Sequence, residues 1–304
     1  MFKDTLLSLA HNQKLQAFVM HNGVARSVAR RFVAGEVLQD AIKVTHVLNE
    51  QGCQVALDYL GENVTDEKEA RATAQDYIRA LDLIKQTGLD ANISIKLTAL
   101  GLDISRAVCE ENLQAILQKA GQYGIFVCID MEGSAYTERT VDITLRMHQQ
   151  FEHVGAVIQA YLCRSKKDLE QLMVQGIRVR LVKGAYKEPA NIAYQKKDEV
   201  DLRYIQLMKM LLVGGNFPAI ATHDETMIDA TCAFARRQGI SRDAFEFQML
   251  YGIRRHLQQK LVQRGYHMRV YVPYGSQWYP YLMRRMAERP ANLIFVLSNA
   301  LRLN

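Results

Sequence analysis

Three charged side chains of this sequence lie in or at the end of short apolar runs, where chemistry can use them. Lys96 closes the run ISIK, Asp130 closes FVCID, and Arg180 lies between apolar neighbours in RVRLV. A lysine and an aspartate that meet at strand ends can act as a catalytic pair, or can form an ion pair that only stabilises the fold. A buried Arg180 would need an anionic or electron-rich partner, which favours a functional role for it.

A second charged group lies near the C-terminal end of the chain, in the segment YLMRRMAE. Arg284 and Glu288 are four residues apart, so they share one face of a helix and can form an ion pair. The adjacent Arg284 and Arg285 suit a bidentate clamp for a carboxylate or a phosphate. The same pattern is also typical of a solvent-exposed basic turn, so two interpretations are open at this point.

Eight short apolar runs, which alternate with helix-length stretches, would position these charges. The alternation predicts an α/β fold, a (β/α)8 TIM-type barrel, in which the C-terminal ends of the strands meet around one site. The expected strands cover residues 54–59, 93–96, 126–130, 157–159, 178–182, 219–222, 245–250 and 268–272. The polar residues expected to share the mouth of this barrel are Asp58, Lys96, Asp130, Gln159, Arg180, Thr222, Gln248 and Tyr271.

The stretches between the runs predict the helices and the domain organisation. Residues 1–50 are expected to form an N-terminal helical extension packed on the barrel, and residues 51–304 the catalytic barrel itself. An amphipathic helix that binds a partner or rests on a membrane is the alternative for residues 1–50. The barrel helices are expected at residues 65–87, 105–122, 137–152, 166–175, 187–213, 225–238, 253–264 and 275–289.

The chain of 304 residues is mildly basic, with a net charge of +6 and a pI near 9.0. Such a charge fits an anionic ligand, a nucleic acid or an acidic membrane surface, and it also fits an ordinary solvated surface. The five cysteines include no CxxC pair, which favours reduced thiols in a cytosol. No signal peptide and no apolar run of membrane-spanning length is visible, so we expect a cytoplasmic protein.

The motif Thr222-His223-Asp224 is the segment most suited to a metal. A metal site needs further ligands, and most other histidines fall on expected helices or loops, so no metal is predicted. A histidine at a strand end can equally hydrogen-bond a phosphate or a ribose. The sequence contains no GxGxxG, GxxxxGK[ST] or GxSxG motif, so a Rossmann or P-loop nucleotide site and a serine-hydrolase elbow are not supported.

Seven segments, in order, resemble proline dehydrogenase, the FAD-dependent enzyme of proline breakdown, in its short monofunctional bacterial form. They lie between about residues 96 and 292 and read ISIKLTALGL, CIDMEGS, IQAYL, VRLVKGAY, ATHD, FEFQMLYG and VYVPYGSQWYPYLMRRMAERPAN. The resemblance implies a flavin that lies across the strand ends. It also implies oxidation of L-proline to Δ1-pyrroline-5-carboxylate, with a hydride passing from the carbon next to nitrogen to flavin N5.

The resemblance assigns cofactor residues at several strand ends. Met131 and Gln159 match positions that touch the isoalloxazine, and Arg180 matches the arginine beside flavin N5. A cation there would stabilise the negative charge of the reduced ring. The residues that match the turn against the cofactor and the contacts to the rest of FAD are Lys183, Gly184, Ala185, Thr222 and His223.

The resemblance also assigns a substrate site and two catalytic residues. Arg284 and Arg285 match the pair that holds the proline carboxylate, and Tyr271 matches a tyrosine packed against the proline ring. The catalytic residues would be Asp130 and Arg180. Cations around the substrate would lower the pKa of its amine, so that the amine is neutral when the hydride leaves. The positions that match a substrate-site lysine, an apolar wall and an acid paired with the clamp are Lys96, Leu250 and Glu288.

The resemblance implies partners as well as residues. These are a quinone as electron acceptor and a peripheral contact with the inner face of the membrane. Since the chain lacks the aldehyde-dehydrogenase half of the bifunctional enzymes, the product would pass to a separate pyrroline-5-carboxylate dehydrogenase. An aromatic residue often follows KGAY in the family, whereas this chain has Lys187, which would change how the adenosine side of the cofactor is covered.

Two rival hypotheses come from other functional classes. One is a barrel lyase or aldolase that acts on an anionic substrate with Lys96 as its Schiff base, which a flavin spectrum would distinguish. The other is a protein that binds nucleic acid, but its dispersed charge and lack of interleaved aromatic and basic residues argue against it. We therefore expect no nucleic acid partner.

Overall fold

Eight parallel strands close into a barrel in which each strand pairs with the next and the last pairs with the first. The structure is a computed structural model that describes residues 29–288; the side chains of Arg284 and of residues 286–288 lie outside the described part. The predicted TIM-type barrel is confirmed. Its strands are β1 (Gln54–Tyr59), β2 (Ala91–Ile95), β3 (Val127–Ile129), β4 (Val154–Gln159), β5 (Val179–Val182), β6 (Ala219–Ala221), β7 (Glu246–Leu250) and β8 (His267–Tyr274).

Helices surround the barrel, and capping residues mark where the helices begin and end. In the second helix, Asp66 accepts a hydrogen bond from the Glu69 N–H at 3.0 Å, and Gly88 ends the helix with a φ of 65°. No helix of the described part is long and apolar enough to cross a membrane. The helices are α1 (Leu38–Glu50), α2 (Glu67–Thr87), α3 (Arg106–Tyr123), α4 (Ser134–His148), α5 (Ser165–Val174), α6 (Lys197–Gly214), α7 (Glu225–Arg237), α8 (Arg255–Gln263) and α9 (Trp278–Glu288).

One predicted helix was wrong in its first third. The sequence predicted a helix over residues 187–213, but α6 starts only at Lys197 and residues 187–196 form a loop. The physical reason is Pro189, which has no N–H to donate and disfavours helical backbone in the residue before it. Ala193 in this loop forms an isolated antiparallel bridge with Leu162, which holds the loop against the segment after β4.

The last helix does not occupy the usual place outside the barrel. α1 packs against β1 and β8 through residues such as Ala41 and Leu48, and so fills the outer layer there. α9 instead packs, with Trp278 and Tyr279, on Leu60 and on residues 29–33. Because Leu60 directly follows β1, α9 lies at the C-terminal mouth of the barrel. Residues 1–28 of the expected extension lie outside the described residues, and the domain boundary at residue 50 stays a prediction.

Candidate active site

Asp130 is the centre of a hydrogen-bond network at the C-terminal ends of the strands. Its Oδ1 accepts from Arg180 Nη1 at 2.7 Å and from Ser94 Oγ at 3.1 Å. Its Oδ2 accepts from the Tyr271 hydroxyl at 2.6 Å. Arg180 Nη2 also donates to Ser94 Oγ at 2.9 Å. Since these side chains come from β2, β5, β8 and the residue after β3, only the closed barrel brings them together.

Lys96 extends this network toward β1. Its Nζ lies 2.7 Å from Asp58 Oδ1 and 3.6 Å from Asp130 Oδ2, and its side chain is only 10% exposed. The predicted approach of Lys96 and Asp130 is confirmed, although Asp58 is the nearer partner. Burial alone would lower the pKa of Lys96, but the two carboxylates outweigh burial and raise this pKa well above its usual value. The ammonium therefore stays charged at neutral pH.

We call the side chains of Asp58, Ser94, Lys96, Asp130, Arg180 and Tyr271 the Asp130 network. The charges of this network are balanced. The carboxylates of Asp58 and Asp130 face the cations of Lys96 and Arg180. Burial and the neighbouring Asp130 raise the pKa of Tyr271 well above its usual value, so the phenol is a neutral donor. The Arg180 guanidinium lies 5.3 Å from the centroid of the Tyr271 ring. A ligand in this mouth thus meets the cations of Lys96 and Arg180 and the neutral phenol of Tyr271.

The turn after β5 carries three predicted cofactor residues. Lys183 Nζ lies 2.7 Å from Asp224 Oδ2 and also forms an ion pair with Asp201. Gly184 has a φ of 118°, and a Cβ at this position would overlap the ring of Tyr161, so only glycine fits. The ion pairs of the Lys183 side chain and the close packing of the Gly184 backbone on Tyr161 therefore both hold the turn. Its three residues are the half-buried Lys183 and Gly184 and the exposed Ala185.

The ends of β6 and β7 are joined through His223. The Leu250 N–H donates to His223 Nε2 at 2.9 Å, so a neutral ring carries its proton on Nδ1. The neighbouring Thr222 is buried, and its Oγ1 accepts from the Asp224 N–H at 3.1 Å. The structure thus places Thr222, His223 and the half-buried Leu250 together at one sector of the mouth.

The ends of β3 and β4 bring two further predicted residues together. Gln159 is buried, and its Nε2 donates to the carbonyl oxygen of Glu132 at 2.9 Å. Met131 is buried in a small apolar cluster formed by β3, β4 and α4. The Glu132 carboxylate accepts from Thr98 Oγ1 at 2.6 Å, and burial raises its pKa despite this bond. Sequence analysis did not assign Glu132.

The expected clamp is only partly described. Arg285 is half-buried, and its guanidinium lies 5.3 Å from the centroid of the Tyr281 ring. Since α9 packs on Leu60, Arg285 belongs to the side of the molecule that holds the C-terminal mouth. The side chains of Arg284 and Glu288 lie outside the described residues, so the double-arginine clamp and its ion pair stay predictions.

Sequence reasoning missed other residues of this mouth for two different reasons. Ser94 carried a usable signal, because it lies on the inward face of its strand, two residues before Lys96. Asp58 was expected at the mouth, but its pairing with Lys96 was not predicted. Glu188 carried no such signal in the sequence. Its Oε1 accepts the backbone N–H of Ser134 at 2.7 Å, across 54 residues of sequence, and ties the loop after β5 to the start of α4.

Comparison with known proteins decides the family. The family model described as Proline dehydrogenase matches residues 41–297 of the chain. The chain belongs to the proline dehydrogenase family. Within this family it is 44% identical over 302 residues to proline dehydrogenase 1 of Bacillus subtilis (strain 168), with 99% of this chain and 100% of that protein covered. It is 38% identical over 307 residues to the proline dehydrogenase of Deinococcus radiodurans, with coverage of 99% and 98%.

The fold is shared with a larger protein. Proline utilization A (PutA) from Bdellovibrio bacteriovorus, in a crystal structure of the form inactivated by N-propargylglycine, superimposes with a TM-score of 0.81 at 26% identity. The match covers 93% of this chain and 38% of that one. The family resemblance predicted from seven sequence segments is thereby confirmed, and the protein is an enzyme of this family.

Proposed function

We propose that the protein oxidises L-proline to Δ1-pyrroline-5-carboxylate with FAD as its cofactor. The observation that carries the proposal is the buried Asp130 network at the C-terminal mouth of the barrel, where barrel enzymes place their active sites. It is supported by the full-length similarity to two proteins named proline dehydrogenase. The rival lyase would need Lys96 as an uncharged amine, and the raised pKa of Lys96 argues against that.

The residues at the mouth fit a flavin. Arg180 Nε is buried and makes no hydrogen bond with any described residue, so it is available to donate to a cofactor atom. When bound, FAD supplies the acceptor for the hydride. The cation of Arg180 would stabilise negative charge that develops on the ring. The residues that would hold FAD are Met131, Gln159, Arg180, Lys183, Gly184, Ala185, Thr222 and His223.

The substrate residues divide the tasks of binding L-proline. Arg284 and Arg285 hold the carboxylate, and Glu288 pairs with this clamp. Tyr271 and Leu250 form the wall against the ring. Binding holds the reacting ring carbon, the one bonded to nitrogen, at a fixed position. This orientation is the main contribution of the protein to such a reaction.

The remaining charges control protonation. The amine of L-proline must be neutral when the hydride leaves, because an ammonium has no lone pair to stabilise the developing double bond. The cations of Lys96 and Arg285 lower the pKa of that amine in a water-poor site. Asp130 balances Lys96 and Arg180 and holds the Tyr271 hydroxyl, so we assign it a catalytic role in orienting these groups.

The proposal extends to the partners of the reaction. Electrons pass from the reduced enzyme to a quinone, so a cytoplasmic protein must make a peripheral contact with the inner face of the membrane. The product passes to a separate pyrroline-5-carboxylate dehydrogenase.

The test is the visible spectrum of the purified protein. We expect flavin absorption that bleaches on anaerobic addition of L-proline and does not bleach with L-alanine, which has no ring amine. The Arg180→Met variant should retain less flavin than the Arg255→Met variant, which changes an exposed arginine at the start of α8. A colourless protein that gains no activity from added FAD would overturn the proposal.

A further inference from the structure

A second buried charge cluster lies at the N-terminal end of the barrel, and the proposed reaction does not use it. Glu246 is completely buried, and both of its oxygens accept from Arg269 Nε, at 3.1 and 3.0 Å. Arg269 Nη1 donates to the Val55 carbonyl oxygen at 2.9 Å. Arg178 Nη2 lies 2.9 Å from Glu246 Oε1. Two guanidiniums therefore share one carboxylate, and we call Arg178, Glu246 and Arg269 the Arg178 cluster.

Arg178 is closely packed, but its Nη2 is poorly hydrogen-bonded. Its guanidinium lies between the rings of Phe126 and Phe217, at 4.7 and 4.4 Å from their centroids. Its buried Nη2 makes no hydrogen bond with any described residue, because the close approach to Glu246 is poorly aligned. Phe217 has a φ of 40°, a left-handed conformation that is rare for a residue of this size. Strain of this kind is retained where the surroundings require one geometry.

The cluster opens into a cavity of about 380 Å³ at the N-terminal ends of the strands. Three cationic residues line this cavity, Lys85, Arg178 and Arg269, against a single acidic one, Asp90. Asn92 also lines it, and its buried Oδ1 has no hydrogen-bond partner among the described residues. The cavity therefore combines an excess of positive charge with polar atoms that are already removed from most of the solvent.

We propose that this cavity is a second binding site, which takes a small carboxylate through Arg178. A planar guanidinium whose two faces are covered by rings presents only its edge, and this edge matches a carboxylate in geometry. A bound carboxylate would balance the charge that Glu246 leaves over. It would also give Nη2 a second acceptor beside Glu246 Oε1, with which Nη2 forms an ion pair at 2.9 Å but no aligned hydrogen bond.

The simpler interpretation is a plug that only stabilises the closed end of the barrel, as conserved features at this end of such barrels usually do. The two differ in what Arg178 does. A plug predicts that changing Arg178 affects unfolding alone. A binding site predicts that the affinity for a carboxylate changes with Arg178 and is independent of the C-terminal mouth.

The experiment is a titration of the full-length protein, with the cofactor it retains on purification, with trifluoroacetate followed by 19F NMR. The Arg285→Met variant serves to weaken carboxylate binding at the proposed substrate clamp. We expect saturable binding that persists in Arg285→Met and is weakened about 10-fold or more in Arg178→Met, as for loss of a charge-assisted hydrogen bond. The matched control is Arg242→Met, which removes an exposed arginine at the same end of the barrel and should bind as the unchanged protein does.

Two further variants keep the test decisive if Arg178→Met does not fold. Arg178→Lys retains the charge but not the planar edge, and should still weaken binding several-fold. Asn92→Asp places a negative charge in the cavity without changing its shape, and should weaken trifluoroacetate binding as well. Equal binding by unchanged protein, Arg178→Lys and Asn92→Asp would overturn the proposal, and so would complete loss of binding in Arg285→Met.

Discussion

The two ends of the barrel both bury charges, but they balance them differently. In the Asp130 network at the C-terminal mouth, two carboxylates face two cations and a neutral phenol. In the Arg178 cluster at the N-terminal mouth, Glu246 alone faces two guanidiniums. The charges of the first arrangement balance without a ligand, so its groups are pre-organised. The second leaves one positive charge over, which is why we assign it a ligand.

The same strands build both ends. Arg178 and Arg180 are two residues apart at β5, and Arg269 and Tyr271 are two apart on β8, so each pair points into the barrel. One strand thus contributes to the Asp130 network at one end and to the Arg178 cluster at the other. This comparison teaches that inward polarity alone does not identify an active site. The end of the strand at which the polar residue lies decides its role.

Asp130→Asn should have the largest effect, because it removes the charge that balances both Lys96 and Arg180. Breaking a buried ion pair from one side costs about 3–5 kcal/mol. We expect kcat/KM for L-proline to fall about 100-fold or more, and the free energy of unfolding to fall as well. Steady-state kinetics and denaturant unfolding measure the two effects. Asp229→Asn, at an exposed position of α7, is the control, and an unchanged kcat/KM would make the network purely structural.

Glu246→Gln should affect stability in a comparable way but not catalysis. It leaves Arg178 and Arg269 buried without their carboxylate, which should lower the free energy of unfolding by about 3–5 kcal/mol. Because this site is at the opposite end from the proposed active site, kcat/KM per folded molecule should stay within about twofold. The control is the exposed Glu199→Gln on α6. If kcat/KM fell as far as in Asp130→Asn, the contrast between the two ends would be lost.

Arg285→Met sharpens the assignment of the C-terminal mouth. Losing a charge-assisted hydrogen bond to a bound carboxylate costs about 1.5–3 kcal/mol, so KM for L-proline should rise about 10- to 150-fold. The flavin content should change little, since Arg285 is assigned to the substrate and not to the cofactor. Kinetics and the ratio of flavin to protein absorbance measure both. Arg255→Met serves again as the control, and an unchanged KM would mean that Arg285 belongs to a solvated basic turn.

The smallest expected effect is the acid dependence of the Arg178 cluster. Burial alone would raise the pKa of Glu246, but Arg269 and Arg178 outweigh it and lower the pKa below its usual 4.5. A carboxyl with a lowered pKa adds stability that is present above the unfolded-state value and lost as the pH falls through the folded-state value. The melting temperature should therefore fall below about pH 4.5, and less steeply in Glu246→Gln. If the melting temperatures of the unchanged protein and of Glu246→Gln fell equally with pH, Glu246 would not be the origin of the acid dependence.

The sequence predicted the strands and most helices because their signals are local. Each apolar run is short and bounded by turn residues, and residues such as Gly88 end the helices that precede the strands. The same local logic failed at residues 187–196, where charged residues suggested a continuous helix and Pro189 prevented it. It also placed Lys96 and Asp130 at neighbouring strand ends, and these two residues do meet.

Local sequence patterns did not predict the individual contacts of the Asp130 network or of the Arg178 cluster. Glu246 and Arg269 appear in the predicted strands, but nothing in the sequence indicates that they pair across 23 residues, or that Arg178 joins them between two rings. Asp130 likewise finds Arg180 across 50 residues and Tyr271 across 141. Such partners depend on the register of several strands at once.

By itself, the sequence determined which residues form strands, which side of each strand faces inward, and which family the chain resembles, because alternation and motifs are properties of neighbouring residues. Only the tertiary structure decided which inward charges meet. Closing the barrel sets the height of every strand relative to the others. This relative height places Asp58 beside Lys96 at the C-terminal mouth. At the N-terminal mouth it leaves Arg178 to share one carboxylate with a second guanidinium.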